Sequence, residues 1–262
     1  MFVPEHLAKF KSCFPSPLSF ASGDENEGRS PAEWFKDIDR TKLGLEVRPL
    51  PSVANRTTLL AMAADRNVGT VELCISILAW GGMRGRNRDH LFKRPVSPWI
   101  DLADVIRNGE LTRAEAYDAF AKLRRAGDAA ITGMGPAYFT KLLYFLAPRA
   151  SSRPHNGYIM DQWVGCSINL LAGRQIVKLD HHLIWRLKQE QPVQRVEAYV
   201  SDLNTGQDYE EFCRSIEELS FEMGSPWTPE LTERAQIADG GRTPHPWRAH
   251  VIEQRLKATY AS

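Results

Sequence analysis

The sequence predicts an all-α fold, and three observations carry that expectation. Helix-start signatures recur: Ser30-Pro31-Ala32-Glu33 and Thr112-Arg113-Ala114-Glu115 both have the form of a capping box, the first with proline at the first helical position. One segment, Val71 to Trp80, is apolar on nearly every face (Val71, Leu73, Cys74, Ile75, Ile77, Leu78, Trp80), as a helix at the centre of a bundle must be. No stretch shows a convincing apolar/polar alternation, so no strand is expected.

With 262 residues, 43% of them apolar, the chain can bury a full core as one large domain or two small ones. The formal charge of +1 gives no overall basic field, so any nucleic-acid signal must be local. One run is local in this sense: Arg84, Arg86, Arg88, Lys93 and Arg94 face Asp89 alone. The cysteines, Cys13, Cys74, Cys166 and Cys213, lack the close spacings of a zinc or iron–sulfur site and read as buried free thiols in a reduced cytosol. The N-terminus lacks a basic start followed by an apolar stretch, and no apolar run reaches membrane-spanning length. A soluble cytoplasmic protein is the expectation.

In chain order, residues 1–55 form an N-terminal extension packed on the core. It reads as loop around Pro15, Pro17, Gly23 and the acidic Asp24, Glu25 and Glu27, with one short helix through Trp34 and Phe35. Residues 56–223 are the expected helical core. Leu59, Leu60, Met62 and Ala63 make a helical stripe that stops at Gly69, and Thr70 is placed to cap the central helix. Gly81-Gly82 leads into the basic stretch. The helix begun at Thr112 ends in Lys122, Arg124, Arg125 and Gly127, basic residues that complement its dipole. A helix with the stripe Phe139, Leu142, Leu143 and Leu146 follows, then a polar loop from Ser151 to Gly157, and a helix from Gln162 to about Ala172. Further helices are expected at 178–189, 193–203 and 208–223. Residues 224–262 are a C-terminal helical tail with a helix start at Thr228-Pro229-Glu230, a break at Gly240-Gly241 and a final segment after Pro246.

The stretch Ile131-Thr132-Gly133-Met134-Gly135-Pro136-Ala137-Tyr138-Phe139-Thr140-Lys141 carries the chemistry. Gly133 and Gly135, with Pro136 behind them, describe a tight hairpin feeding a helix, where the missing proline N–H costs nothing. Backbone N–H groups left free there form an anion site, and a DNA phosphate is the obvious anion. Asp161 stands twenty positions after Lys141, at a helix start. On its own it is a plausible N-cap.

A helix, a Gly-x-Gly hairpin, a helix and an aspartate opening the next helix together resemble the helix-hairpin-helix DNA glycosylase superfamily, over roughly residues 56 to 223. The resemblance is closest to a bacterial group related to 8-oxoguanine glycosylases, some of which act in phage defence. It implies an all-α helix-hairpin-helix glycosylase fold and double-stranded DNA containing a modified base as the partner of a monomer. It implies no metal or other cofactor beyond a monovalent cation at the hairpin. For the phage-defence group the implied substrate is a bulky cytosine derivative such as glucosylated hydroxymethylcytosine. An oxidised purine such as 8-oxoguanine, and a hairpin module that binds DNA without catalysis, are the alternatives.

Breaking an N-glycosidic bond builds positive charge on the deoxyribose. A fixed carboxylate beneath the sugar stabilises that charge and can orient a water, and Asp161 is the candidate. In lysine-bearing relatives the Schiff-base lysine stands two residues after the second glycine, which is Ala137 here. Lys141 lies one turn further on, displaced by about 6 Å along the same face. Lys141 is either the nucleophile, in which case the strand is also nicked by β-elimination, or an auxiliary cation with water as nucleophile. Thr132, Gly133, Met134, Gly135 and Pro136 would hold the phosphate. The Arg84–Arg94 run is either a solvated loop or a DNA contact, in which Arg84, Arg86 and Arg88 touch backbone and Asn87 fills the gap left by a flipped base. Trp163 and Trp227 are either core residues or walls of the base pocket. The adjacent His181 and His182 point apart and are not read as a metal site.

Overall fold

The computed structural model describes residues 1–17, 28–43, 46–126, 131–149, 156–188, 191–238 and 243–261. Its helices are α1 (Pro4–Cys13), α2 (Pro31–Phe35), α3 (Arg56–Ala64), α4 (Thr70–Trp80), α5 (Gly85–Phe92), α6 (Ser97–Arg107), α7 (Arg113–Arg125), α8 (Pro136–Leu146), α9 (Gln162–Ala172), α10 (Gly206–Met223), α11 (Pro229–Ile237) and α12 (Pro246–Ala261). The acidic patch Asp24, Glu25 and Glu27, together with Gly23, Gly127, Ser151 and Gly240-Gly241, lies outside the described residues.

Helix α4 is central, as its all-round apolarity predicts. Leu73, Cys74, Ile75, Ile77, Leu78 and Ala79 are all buried, and α2, α3, α6 and α8 pack around it. Thr70 does not cap it: Gly69 is the N-cap and Thr70 is the first helical residue. The Thr112 capping box forms in full, Thr112 and Glu115 each satisfying a backbone N–H of the other. The α7–α8 pair that flanks the glycine hairpin is locked by rings. Phe120 stacks on Phe139 at 5.5 Å between centroids, and Tyr117 meets Phe139 edge-on at 5.0 Å. Such pairs add about 0.5–1.5 kcal/mol each beyond their buried area.

Two expectations are corrected. Residues 178–189 and 193–203 are not helices but an antiparallel hairpin, β1 (Leu179–Lys188) and β2 (Gln191–Val200), in register from Leu179 opposite Val200 to Lys188 opposite Gln191. The period-two signal is in β2: Val196, Ala198 and Val200 are buried while Glu197 and Tyr199 point outward. Pro192 and the β-branched valines disfavour a helix there. Asn204 clamps the base of the hairpin, accepting from the Lys178 N–H at 2.9 Å and donating to the Lys178 carbonyl at 2.9 Å. The second correction is α1, in a stretch read as loop. Pro4 opens it at the first helical position, and Phe10 and Phe14 are buried at its end. Phe10 packs on Trp247 of α12 at 4.9 Å, so the two ends of the chain meet. Their buried side chains belong to the same core cluster as α4 and α8.

Candidate active site

The hairpin forms as its residues require. Gly133 has φ +94°, a left-handed conformation that other residues adopt only with strain, and a Cβ on it would collide with the Asn87 carbonyl of α5. Ile131 and Met134 are buried beneath the turn, and the Met134 N–H donates to the Ile131 carbonyl at 3.0 Å. Gly135 is the N-cap of α8 and Pro136 its first residue. Gly135 and Ala137 thus stand at the first turn of α8, where backbone N–H groups have no partner within the helix.

Asp161 is the N-cap of α9. Its Oδ1 accepts from the N–H groups of Trp163 (2.7 Å) and Val164 (3.0 Å), which fixes the carboxylate at a positive helix end. One buried side chain ties this cap to the hairpin helix. Thr140 Oγ1 accepts from the Met160 N–H at 3.1 Å and donates to the Pro136 carbonyl at 2.8 Å. Thr140 precedes Lys141 and Met160 precedes Asp161, so this bond ties the start of α9 to the helix that carries the lysine. Lys141 is half-buried. Its Nζ donates to the Ala137 carbonyl at 2.9 Å and lies 5.4 Å from the Tyr138 ring centre. Its stem crosses Gly81, where a Cβ would sit 2.6 Å from Lys141 Cδ. Burial pulls the Lys141 amine below the ordinary lysine range. Asp161 and Glu233 oppose that shift, and Arg56 adds to it.

The basic stretch is a helix, α5, rather than a loop. Arg84, its N-cap, and Arg86 are exposed, and Asn87 is half-buried with its carbonyl against Gly133. The hairpin and the basic helix thus share one surface. Arg88 is turned inward: it donates to the Trp34 carbonyl, pairs with Asp89 at 2.8 Å and lies 5.9 Å over the Trp34 ring. Its guanidinium braces the N-terminal segment against α5.

Beside Asp161 is a cavity of about 260 Å³ lined by Arg84, Gln162, Trp163, Val196, Glu197, Ala198, Tyr199 and Arg255. Trp163 is one wall, its ring covered by Arg248 at 3.6 Å and Arg255 at 5.0 Å. Strand β2 supplies the opposite wall, which a reading without strands could not anticipate. Gln162, with its amide oriented to suit its neighbours, donates to the Ala198 carbonyl (2.5 Å) and accepts from Trp163 Nε1 (3.0 Å). Trp227 is elsewhere, in the α10–α11 connection, where its N–H donates to Gly224 at 2.9 Å and its carbonyl accepts from Ser220 Oγ at 3.2 Å. A larger cavity of about 510 Å³, between α7, the end of α8 and α10, includes none of the expected site residues. His181 and His182 lie on β1, where neighbours also point to opposite faces.

Three residues that sequence reasoning missed stand behind Lys141. Arg56 donates to Glu233 at 3.0 Å and to the Tyr144 hydroxyl at 3.1 Å, and its guanidinium sits over the Tyr144 ring at 4.7 Å. Glu233 is fully buried. Burial raises its carboxyl above the usual range and Arg56 counters this. The partners are separated by 88 and 177 positions in the chain, so no local signal could have paired them.

No helix among the described residues is long and apolar enough to cross a membrane. Comparison with curated proteins and with solved structures gave no match. Comparison with protein families matches residues 25–236 to the family described as "Putative 8-oxoguanine DNA glycosylase OGG-like protein". That span covers most of the chain and includes the hairpin, Lys141, Asp161 and Glu233. A mostly helical chain with a glycine hairpin opening one helix and an aspartate capping the next therefore belongs to the OGG-like 8-oxoguanine DNA glycosylase family.

Proposed function

We propose that the protein is a DNA glycosylase that flips a modified base out of duplex DNA and cleaves its N-glycosidic bond, leaving an abasic site. The observation that carries this reading is the Thr140–Met160 hydrogen bond, which ties the start of α9, where Asp161 stands, to the hairpin helix that carries Lys141. In this reading the Thr132–Pro136 hairpin holds a phosphate at the start of α8, and its turn would also hold the monovalent cation that the resemblance implies. Arg84 and Arg86 contact the backbone, and Asn87 enters the gap left by the flipped base. Asp161 stabilises the positive charge growing on the sugar. The lowered basicity of Lys141 suits a nucleophile, and attack by it would form a Schiff base and then nick the strand.

For the substrate we propose a glucosylated hydroxymethylcytosine of phage DNA, so that excision serves antiviral defence. The cavity beside Asp161 supports this. Arg84, Gln162, Glu197, Tyr199 and Arg255 offer hydrogen-bonding groups, and Trp163 an aromatic face, to a hydroxyl-rich substituent. The family description favours a second reading, repair of 8-oxoguanine. Incubation with glucosylated phage DNA and, separately, with 8-oxoguanine duplexes decides between them by where abasic sites form. Abasic sites in neither leave a hairpin protein that binds DNA without catalysis. Borohydride trapping of a covalent adduct, lost in Lys141→Ala, tests the Schiff base.

A further inference from the structure

The span that matches the family ends at residue 236, and α12 begins only at Pro246. This last helix is nevertheless built into the site. Trp247 is fully buried, its Nε1 donates to Ser167 Oγ of α9 at 2.8 Å, and Phe10 of α1 packs on the same ring at 4.9 Å. So anchored, α12 sends two arginines toward the start of α9. Arg248 donates to the Ala238 carbonyl at 2.9 Å and lays its guanidinium on the Trp163 ring at 3.6 Å. Arg255, two turns further along the same face of α12, donates to Cys166 Sγ at 3.3 Å and lines the cavity beside Asp161.

The chemistry of that cavity narrows what it can hold. An oxidised purine is flat and is held chiefly between apolar or aromatic faces. Trp163 is 9% exposed beneath Arg248, which leaves enough ring to border a substituent but too little for a purine to stack on. Most of the other lining groups are polar. Arg84 and Arg255 are donors only, Glu197 is an acceptor, and Gln162 and the Tyr199 hydroxyl can be either. Tyr199 and Glu197 already act together, the hydroxyl donating to the carboxylate at 2.5 Å. A guanidinium on α12 and a carboxylate–phenol pair on β2, around one cavity of about 260 Å³, suit neighbouring hydroxyl groups, each of which accepts one hydrogen bond and donates another.

We propose that the C-terminal helix sets substrate choice: Arg255, together with Glu197 and Tyr199, holds the hydroxyls of a sugar carried by the flipped base, and so selects a glycosylated base over the same base without its sugar. The assignment rests on the reading of this cavity as the base site. Arg255 takes no part in breaking the bond; it decides which base is held next to Asp161. A site built to hydrogen-bond hydroxyls leaves its own polar groups unpaired when they are missing, so the discrimination is steep. The hairpin, Lys141 and Asp161 lie inside the family span, whereas the selecting arginine lies outside it.

Binding, rather than turnover, reads this choice. In an Asp161→Asn background, which keeps the substrate intact, fluorescence anisotropy gives the affinities for two duplexes of one sequence, one carrying glucosylated hydroxymethylcytosine and the other plain hydroxymethylcytosine. The glucosylated duplex should bind about tenfold or more tightly, and Arg255→Met, which fills the same space without the donors, should bring the ratio to within about twofold of one. Tyr199→Phe removes a single hydroxyl at a residue that is 42% exposed and should lower the ratio by about threefold, so it decides the matter should Arg255→Met fail to fold. Equal binding of the two duplexes before substitution, or a ratio that the substitutions leave unchanged, overturns the proposal. A sugar preference in a protein whose wild type forms no abasic sites would sink the glycosylase reading and leave the recognition standing. Abasic sites without a sugar preference would do the reverse.

Discussion

Replacing Thr140 by valine keeps the shape of a fully buried side chain and removes its hydroxyl. The Pro136 carbonyl loses one of its donors but keeps its helical bond. The Met160 N–H, at a residue that is itself fully buried, loses its acceptor and gains none. A buried donor stranded in this way costs about 1–3 kcal/mol. For a chain of this size each kcal/mol lowers the melting temperature by about 2–4 °C, so Thr140→Val should melt about 2–12 °C lower. The functional loss should exceed the stability loss, because Met160 carries Asp161. Abasic-site formation measured well below the melting temperature should fall, while Thr140→Ser, which restores the hydroxyl, should recover it. A valine variant that melts and cleaves like the wild type would refute the claim that this bond fixes the Asp161 end of α9 against the hairpin helix.

Gly133→Ala places a Cβ at φ +94° and against the Asn87 carbonyl. It should destabilise the protein by at least ~1–2 kcal/mol and weaken binding to an unmodified duplex in fluorescence anisotropy, whereas unchanged affinity would remove the hairpin from the DNA surface. Stability should also fall in acid through Glu210, whose carboxyl the bidentate Arg113 (2.7 and 2.9 Å) holds down to about 2 against the ordinary 4.5. The sign follows from that depression: the stabilisation is full above about 4.5 and is lost as pH falls toward about 2. Urea unfolding at pH 5 and pH 3 should show a smaller drop for Glu210→Gln than for the wild type, and equal drops would contradict the assignment.

What was legible in the sequence was what local chemistry specifies. Gly133, Gly135 and Pro136 could hardly serve another geometry, and Asp161 announces a helix start whatever else it does. The capping boxes and the all-apolar α4 gave the helical architecture. The β-hairpin escaped because its apolar residues are spaced loosely enough to fit a helix, and only the buried Val196, Ala198 and Val200 reveal period two. Helix α1 was hidden in a stretch punctuated by prolines, one of which, Pro4, in fact starts it. The groups behind Lys141 were out of reach for a different reason. Arg56, Tyr144 and Glu233 come from three helices, and nothing in Thr232-Glu233-Arg234 distinguishes a buried carboxylate from a solvated one. Thr140 likewise becomes informative only once Met160 is seen against it.

The central claim is that Asp161 is chemical as well as structural, and Asp161→Asn separates the two. Asparagine is as good an N-cap as aspartate, so the α9 start and the fold should survive. With glucosylated phage DNA as substrate, the account predicts a loss of abasic-site formation of about 10²-fold or more, the order seen when an electrostatic stabiliser is removed, with DNA affinity within about twofold of the wild type. An Asp161→Asn protein that still forms abasic sites at the wild-type rate would contradict it.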